Sequence, residues 1–229
     1  RASWPVTHTV LPMQEPPPTR AARRKKKGLT PTFKVVFTRQ APTIDGILSP
    51  AEWPKQKMAI KEDVHGKPAK PHSEAWLVHD GTYLYLAVRN EVNPAKPLIS
   101  DARWGTNDAV EIAVQNPAKG KLAPIFVVRG YPDGKFECST EAGAPEPEAS
   151  ALQVVVEYRA KVVDPAHWSA EFRIPWSALG VEPGKHARLP FNLTVRKMAS
   201  SLWLMWVGPE AHSWQVDQAG VILLEKQPK

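Results

Sequence analysis

The sequence predicts an all-β protein, and three observations carry that prediction. Its apolar runs are mostly short, about four to eight residues, and rich in Val, Ile, Phe, Tyr and Trp, side chains that suit a half-buried pleated surface. Turn chemistry separates them: Asn-Pro, Asp-Gly, Pro-Asp-Gly and Pro-Gly recur between the runs. The 24 prolines are spread along the chain, where they would repeatedly break helix interiors.

Taken in order, the first strand covers 33–37 (Phe-Lys-Val-Val-Phe). A hairpin follows, with 74–78 and 83–89 joined through His79-Asp80-Gly81-Thr82, an Asp-Gly pair between two aromatic-rich runs. Further strands are expected at 109–114, 125–129, 135–138, 152–163, 168–174, 191–196, 202–207 and 220–224. Helix is expected only as short turns, at 49–53 and 175–179. Roughly ten or eleven strands without alternating long helices predict a two-sheet antiparallel β-sandwich, jelly-roll-like, rather than a βαβ fold.

The 229 residues allow one large sandwich plus a tail. Residues 1–31 hold Pro16-Pro17-Pro18, the basic run from Arg20 to Lys27, and Glu15 as their one acidic residue. This segment reads as an extended or disordered linker, or as an arm for an acidic partner. The formal net charge of +7 is therefore concentrated in the tail, since residues 32–229 carry 23 basic against 22 acidic residues. A nearly neutral globular part gives no general attraction to nucleic acid. Residues 32–229 are expected to form one domain. No run approaches the ~20 apolar residues of a membrane span, and none reads as a signal segment.

Chemistry-bearing motifs are scarce. Cys138 is the single cysteine, and no Cys/His spacing suggests zinc. There is no G-x-S-x-G, H-E-x-x-H or glycine-rich phosphate loop. Asp108 and Glu111, three apart on a strand, would point to opposite faces, which is poor geometry for an acid pair. Met198, Met205 and His212 are nominal haem ligands without a paired pattern. No enzyme activity and no cofactor are expected. Asn192-Leu193-Thr194 is a glycosylation sequon buried in a strand pattern.

Six segments, in order, resemble the family 9 carbohydrate-binding modules. They are 41–53 (A-P-T-I-D-G-I-L-S-P-A-E-W), 79–88 (H-D-G-T-Y-L-Y-L-A-V), Trp104 with 107–112 (N-D-A-V-E-I), 168–180 (W-S-A-E-F-R-I-P-W-S-A-L-G), 191–196 (F-N-L-T-V-R), and Trp206 with 219–223 (A-G-V-I-L). The resemblance spans residues 33–225. It implies a β-sandwich without catalytic machinery, working as an accessory module of a secreted, periplasmic or cell-surface bacterial protein, with a saccharide or polysaccharide as ligand and other domains of a larger polypeptide as partners. Some members carry structural calcium, for which Asp45 or Asp80 could serve.

In sugar-binding members two tryptophans clamp a sugar ring while polar groups bond its hydroxyls. Carried onto this sequence, Trp104 is the first clamp residue. The second lies among Trp203, Trp206 and Trp214, with Trp206 favoured because Val207-Gly208-Pro209 follows it. Glu111, Arg129, Asn192 and Arg196 are the polar candidates; a carboxylate and an Arg fork can together hold adjacent hydroxyls. Trp53, Trp76, Trp168 and Trp176 are expected to build the core. The alternatives are that Trp104 closes the end of the core, that Glu111 and Arg129 form an internal ion pair, and that the domain is a structural or protein-interaction sandwich without a sugar site.

Overall fold

A computed structural model describes Arg20, Arg23, Arg24 and residues 27–96, 98–100, 103–120 and 122–228. Most of the tail expected at 1–31 thus lies outside the described residues. Among those described, twelve strands run from Thr32 to Leu224: β1 (Thr32–Phe37), β2 (Met58–Glu62), β3 (Pro68–His79), β4 (Tyr83–Glu91), β5 (Ala109–Gln115), β6 (Ile125–Gly130), β7 (Phe136–Ser139), β8 (Glu157–Asp164), β9 (His167–Pro175), β10 (Arg188–Lys197), β11 (Leu202–Met205) and β12 (Gly220–Leu224). An α-helix, α1 (Glu146–Val155), precedes β8.

The strands follow the path β7-β6-β5-β10-β11-β2-β3-β4-β9-β8. Its two halves pack face to face. They are joined through the pair Met205↔Glu62 and, on the other side, through β12 and β1. The all-β class holds, but closure is partly barrel-like, and β1 pairs in parallel with both β12 and β3, a departure from the expected antiparallel pairing. These two strands bring the beginning and end of the fold together. They also cover sheet edges that would otherwise present unpaired N–H and C=O groups.

Period-two patterning builds the core. In β10, Leu189, Phe191, Leu193 and Val195 face inward and are fully buried, while Asn192, Thr194 and Arg196 alternate with them on the outer side. Leu77, Leu84, Leu86, Ile112, Val128, Trp168, Phe172 and Trp176 complete the interior. Burying each large side chain contributes about 1.5–3 kcal/mol relative to leaving it exposed. Of the tryptophans expected in the core, Trp53, Trp168 and Trp176 are buried, whereas Trp76 is half-buried under the 41–54 loop. The β3–β4 turn is fixed by Asp80, whose Oδ1 accepts from the N–H groups of Thr82 and Tyr83 at 2.8 Å, with Gly81 at φ +89.

Two expectations are corrected. The run 152–163 does not form one strand: residues 152–155 complete α1, and β8 begins only at Glu157. Glu146 and Glu148 in the first turn suit the helix dipole, and Ala149 and Leu152 supply its buried side, outweighing the β-branched Val154 and Val155. The second correction is that β2, and a β3 starting at Pro68, lie in the 54–73 stretch, where no strand is expected. The helix secures a sheet edge. Gln153 accepts from the Cys138 N–H at 2.6 Å and donates to the Phe136 carbonyl, satisfying the free side of β7.

Candidate ligand-binding site

The outer face of β11-β10-β5-β6-β7 carries every polar candidate. Register aligns them in rows: Trp203–Arg196–Ala109, then Met205–Thr194–Glu111–Arg129–Glu137, then Asn192–Ala113–Val127–Ser139. The residue-by-residue alternation of β5, β6 and β10 puts these side chains on one side and the core residues on the other.

Glu111 and Arg129 form the centre. Arg129 Nε donates to Glu111 Oε2 at 2.8 Å, with side-chain exposures of 5% and 0%. Ser213 Oγ donates to the other Glu111 oxygen at 2.5 Å. The two terminal nitrogens of Arg129 reach Glu141 at 2.5 Å and Glu137 at 3.4 Å. Burial pushes the Glu111 carboxyl above its ordinary range, and Arg129 and Ser213 hold back part of that rise. Burial also works against the Arg129 charge, but Glu111 and Glu141 outweigh it and raise the guanidinium's pKa. Glu137 and Glu141 remain about half exposed, at 43% and 49%.

Trp104 lies beside this centre, with the Arg129 guanidinium 4.2 Å above its ring. Its other neighbour is Trp203, whose ring centroid is 5.0 Å away at 79°. Arg196 in turn lies 5.0 Å over Trp203 and donates to the Leu202 carbonyl at 2.8 Å. The base of the Trp104 loop is tied by Asp108, whose two oxygens accept from Ile99 and Met198 N–H groups.

Trp206, the favoured second clamp, sits differently. It packs edge-on to Phe33 at 6.5 Å, against Phe191 at 6.1 Å, and over Gly220, where an added Cβ would fall 2.5 Å from the indole. Strand alternation accounts for this: Trp203 and Met205 point outward, so Leu204 and the following Trp206 turn inward. Of the three tryptophans weighed for the second clamp, Trp203 and Trp214 share the outer face, and Trp214 is the one that does not already contact Trp104. It packs on Ala113, Val127 and Val216, one register step along from Glu111–Arg129, with His212 stacked on it at 4.9 Å. Asn192 is committed to that same loop, donating to Val207 and Ser213 carbonyls and accepting from the Val207 N–H. It therefore positions Ser213 and Trp214.

Sequence reasoning does not single out Ser213, Glu137 or Glu141. The register of β6 against β7 is the available signal for Glu137, whereas nothing local marks Ser213 or Glu141. The two aspartates considered for calcium are each engaged within their own turns. Asp45 accepts from the Ile47 N–H within its own turn, and both Asp80 oxygens are used, Oδ2 by the Tyr85 hydroxyl. Among the described residues no three His, Cys, Asp or Glu side chains gather as a metal site.

No family model matches the sequence, and no curated protein is detectably similar to it. Solved structures do match. A family 9 carbohydrate-binding module from Caldicellulosiruptor kristjanssonii in complex with cellotriose aligns over 86% of this chain and 95% of its own, with a TM-score of 0.66 at 17% identity. A structure of a module of that family from the same organism with glucose gives 0.60 at 17% identity, over 86% and 97%. A candidate carbohydrate-binding protein from Bacteroides uniformis gives 0.58 at 14%, over 86% and 100%. The fold is that of the family 9 modules.

Proposed function

We propose that residues 32–229 form one non-catalytic module that binds a neutral saccharide on the β5–β6–β10 face. The observation that carries this reading is the fixed donor and acceptor array of Glu111, Arg129, Glu137 and Glu141, placed beside Trp104. Arg129 occupies one oxygen of each rim carboxylate, leaving the other to accept from sugar hydroxyls, while indole supplies a rigid surface for ring C–H groups. Trp214 supplies the second aromatic wall in place of Trp206. Half-exposed carboxylates disfavour acidic sugars there by like-charge repulsion.

The non-catalytic reading is supported by how the acidic groups are used. Both Asp108 oxygens hold backbone N–H groups, and both Glu111 oxygens are bonded, so neither is poised to move a proton. Such a module works outside the cytoplasm, secreted, periplasmic or at the cell surface, joined to other domains. Among the described residues no helix is long and apolar enough to cross a membrane.

Calorimetric titration with glucose, cellobiose and xylobiose tests the reading. Saturable binding, at about −4 to −8 kcal/mol, that is lost in Trp104→Ala supports it. No heat with any of these sugars, together with no retention on insoluble polysaccharide, favours a second reading, an interaction domain. One observation speaks for that alternative: Arg129 and Trp203 already cover parts of the Trp104 indole.

A further inference from the structure

The outer face of the other half-sheet carries a groove separate from the site above. Pairing of β4, β9 and β8 sets Arg89, Ser169 and Lys161 side by side across three strands. A hollow of about 380 Å³ opens over this row, walled by Ile47 and Leu48 on one side and Val163 and His167 on another. A second hollow of about 380 Å³ adjoins it at Leu48 and Arg89 and continues to Trp76 and Lys55.

The charges along this groove are unlike those around Arg129. The side chains of Arg89, Lys161 and Lys55 are exposed and have no ion-pair or hydrogen-bond partner among the described residues. One carboxylate among the described residues, Asp164, lines the first hollow; it holds His167 at 3.0 Å and the Ala166 N–H at 2.7 Å, while Glu74 nearby is paired with Lys57. Among the described residues no carboxylate lines the second hollow. Glu74 stands directly across from Arg89 at the end of the row, where Lys57 pairs with it, and Glu91 lies two residues along β4 from Arg89.

We infer that this groove binds an extended carboxylated polysaccharide, a polyuronate strand. The Arg89 fork matches one carboxylate in bidentate fashion, and Lys161 and Lys55 meet charges to either side. Leu48, Val163 and the half-buried Trp76 offer apolar surface to ring C–H groups. Nucleic acid is disfavoured by the charge balance of 23 basic against 22 acidic residues over 32–229, because its binding grows with the number of phosphates neutralised. The inference does not depend on the neutral-sugar site, which lies on the opposite half-sheet.

Titration of the whole chain with oligogalacturonate, with cello-oligosaccharide of equal length, and with single-stranded DNA of equal charge tests it. Saturable, salt-sensitive oligogalacturonate binding is expected, weakened about tenfold or more in Arg89→Ala and several-fold in Lys161→Ala or Lys55→Ala. Trp104→Ala should leave it unchanged while abolishing any cello-oligosaccharide binding, so the two sites fail or succeed separately. Because the Arg89 guanidinium bonds no partner among the described residues, its replacement should preserve the wild-type melting profile. Absence of oligogalacturonate binding, its persistence in Arg89→Ala, its loss in Trp104→Ala, or equal affinity for the DNA would each overturn the inference.

Discussion

Each half of the sandwich carries a buried glutamate on its outer face, and the two are held in contrasting ways. Glu111 on β5 is held by side chains, Arg129 and Ser213. Glu171 on β9 is held mainly by backbone: it accepts from the N–H groups of Asp45 and Gly46 at 3.0 and 2.8 Å and from the Trp53 indole at 3.3 Å. Burial raises both carboxyls, Glu171 to about 7. The difference separates two uses of the same group. Glu171 pins the 41–54 loop onto its sheet, and Glu111 fixes an arginine whose remaining donors reach the half-exposed Glu137 and Glu141.

The largest effect that would sharpen this contrast comes from Arg129→Ala. It strips a fully buried carboxylate of its cation, a change that costs about 3–5 kcal/mol in buried pairs, read as a drop in urea unfolding free energy. A double change, Arg129→Ala with Glu111→Gln, should recover part of that loss, because no buried charge is then left unpaired. Next in size is Glu171→Ala, which leaves two backbone N–H groups and an indole N–H without their acceptor. A loss of about 2–4 kcal/mol is expected, with faster hydrogen exchange confined to the 41–54 loop. Glu171→Gln, which keeps one acceptor oxygen, should lose less.

Lys197 adds a pH-dependent comparison between the halves, since its ammonium bridges β10 to the carbonyls of Pro71, His72 and Glu91. Burial lowers its pKa to about 7, with Glu91 and Asp108 opposing. The unfolded chain therefore binds more protons at this side chain between pH 7 and its ordinary pKa of 10.5. Stability should rise with pH through that window by up to about 1.4 kcal/mol per unit. Subtracting the Lys197→Met unfolding curve from the wild type isolates this slope; a flat difference would remove Lys197 as its source. The smallest effect is expected at Arg89→Ala, which should alter unfolding free energy by less than about 0.5 kcal/mol.

Much of the fold is legible in the sequence because alternation and turn chemistry are local signals. The Asp80-Gly81 hairpin and the inward Leu and Phe of β10 can be read directly. The helix α1 escapes such a reading because Val154 and Val155 favour strand locally, while its docking through Gln153 on β7 is a long-range contact. The parallel β1–β12 pair joins residues nearly 200 positions apart, and no local pattern encodes it. At the site, strand parity makes Glu111, Arg129 and Arg196 visible as one face. The following Val207-Gly208-Pro209 suggests Trp206 for that face, but its alternation with Trp203 and Met205 turns it to the core side, where it packs on Phe191. Ser213 and Glu141 arrive on loops, so only tertiary structure brings them to the Glu111–Arg129 pair.

Indole N–H resonances, assigned by single substitution and followed during titration with cellotriose, test the central claim most directly. The account predicts saturable shifts at Trp104 and Trp214, on the β5–β6–β10 face, with Trp168 and Trp176 in the core unmoved. Shifts confined to Trp76, or none at any tryptophan up to millimolar sugar, would contradict a neutral-sugar site on that face.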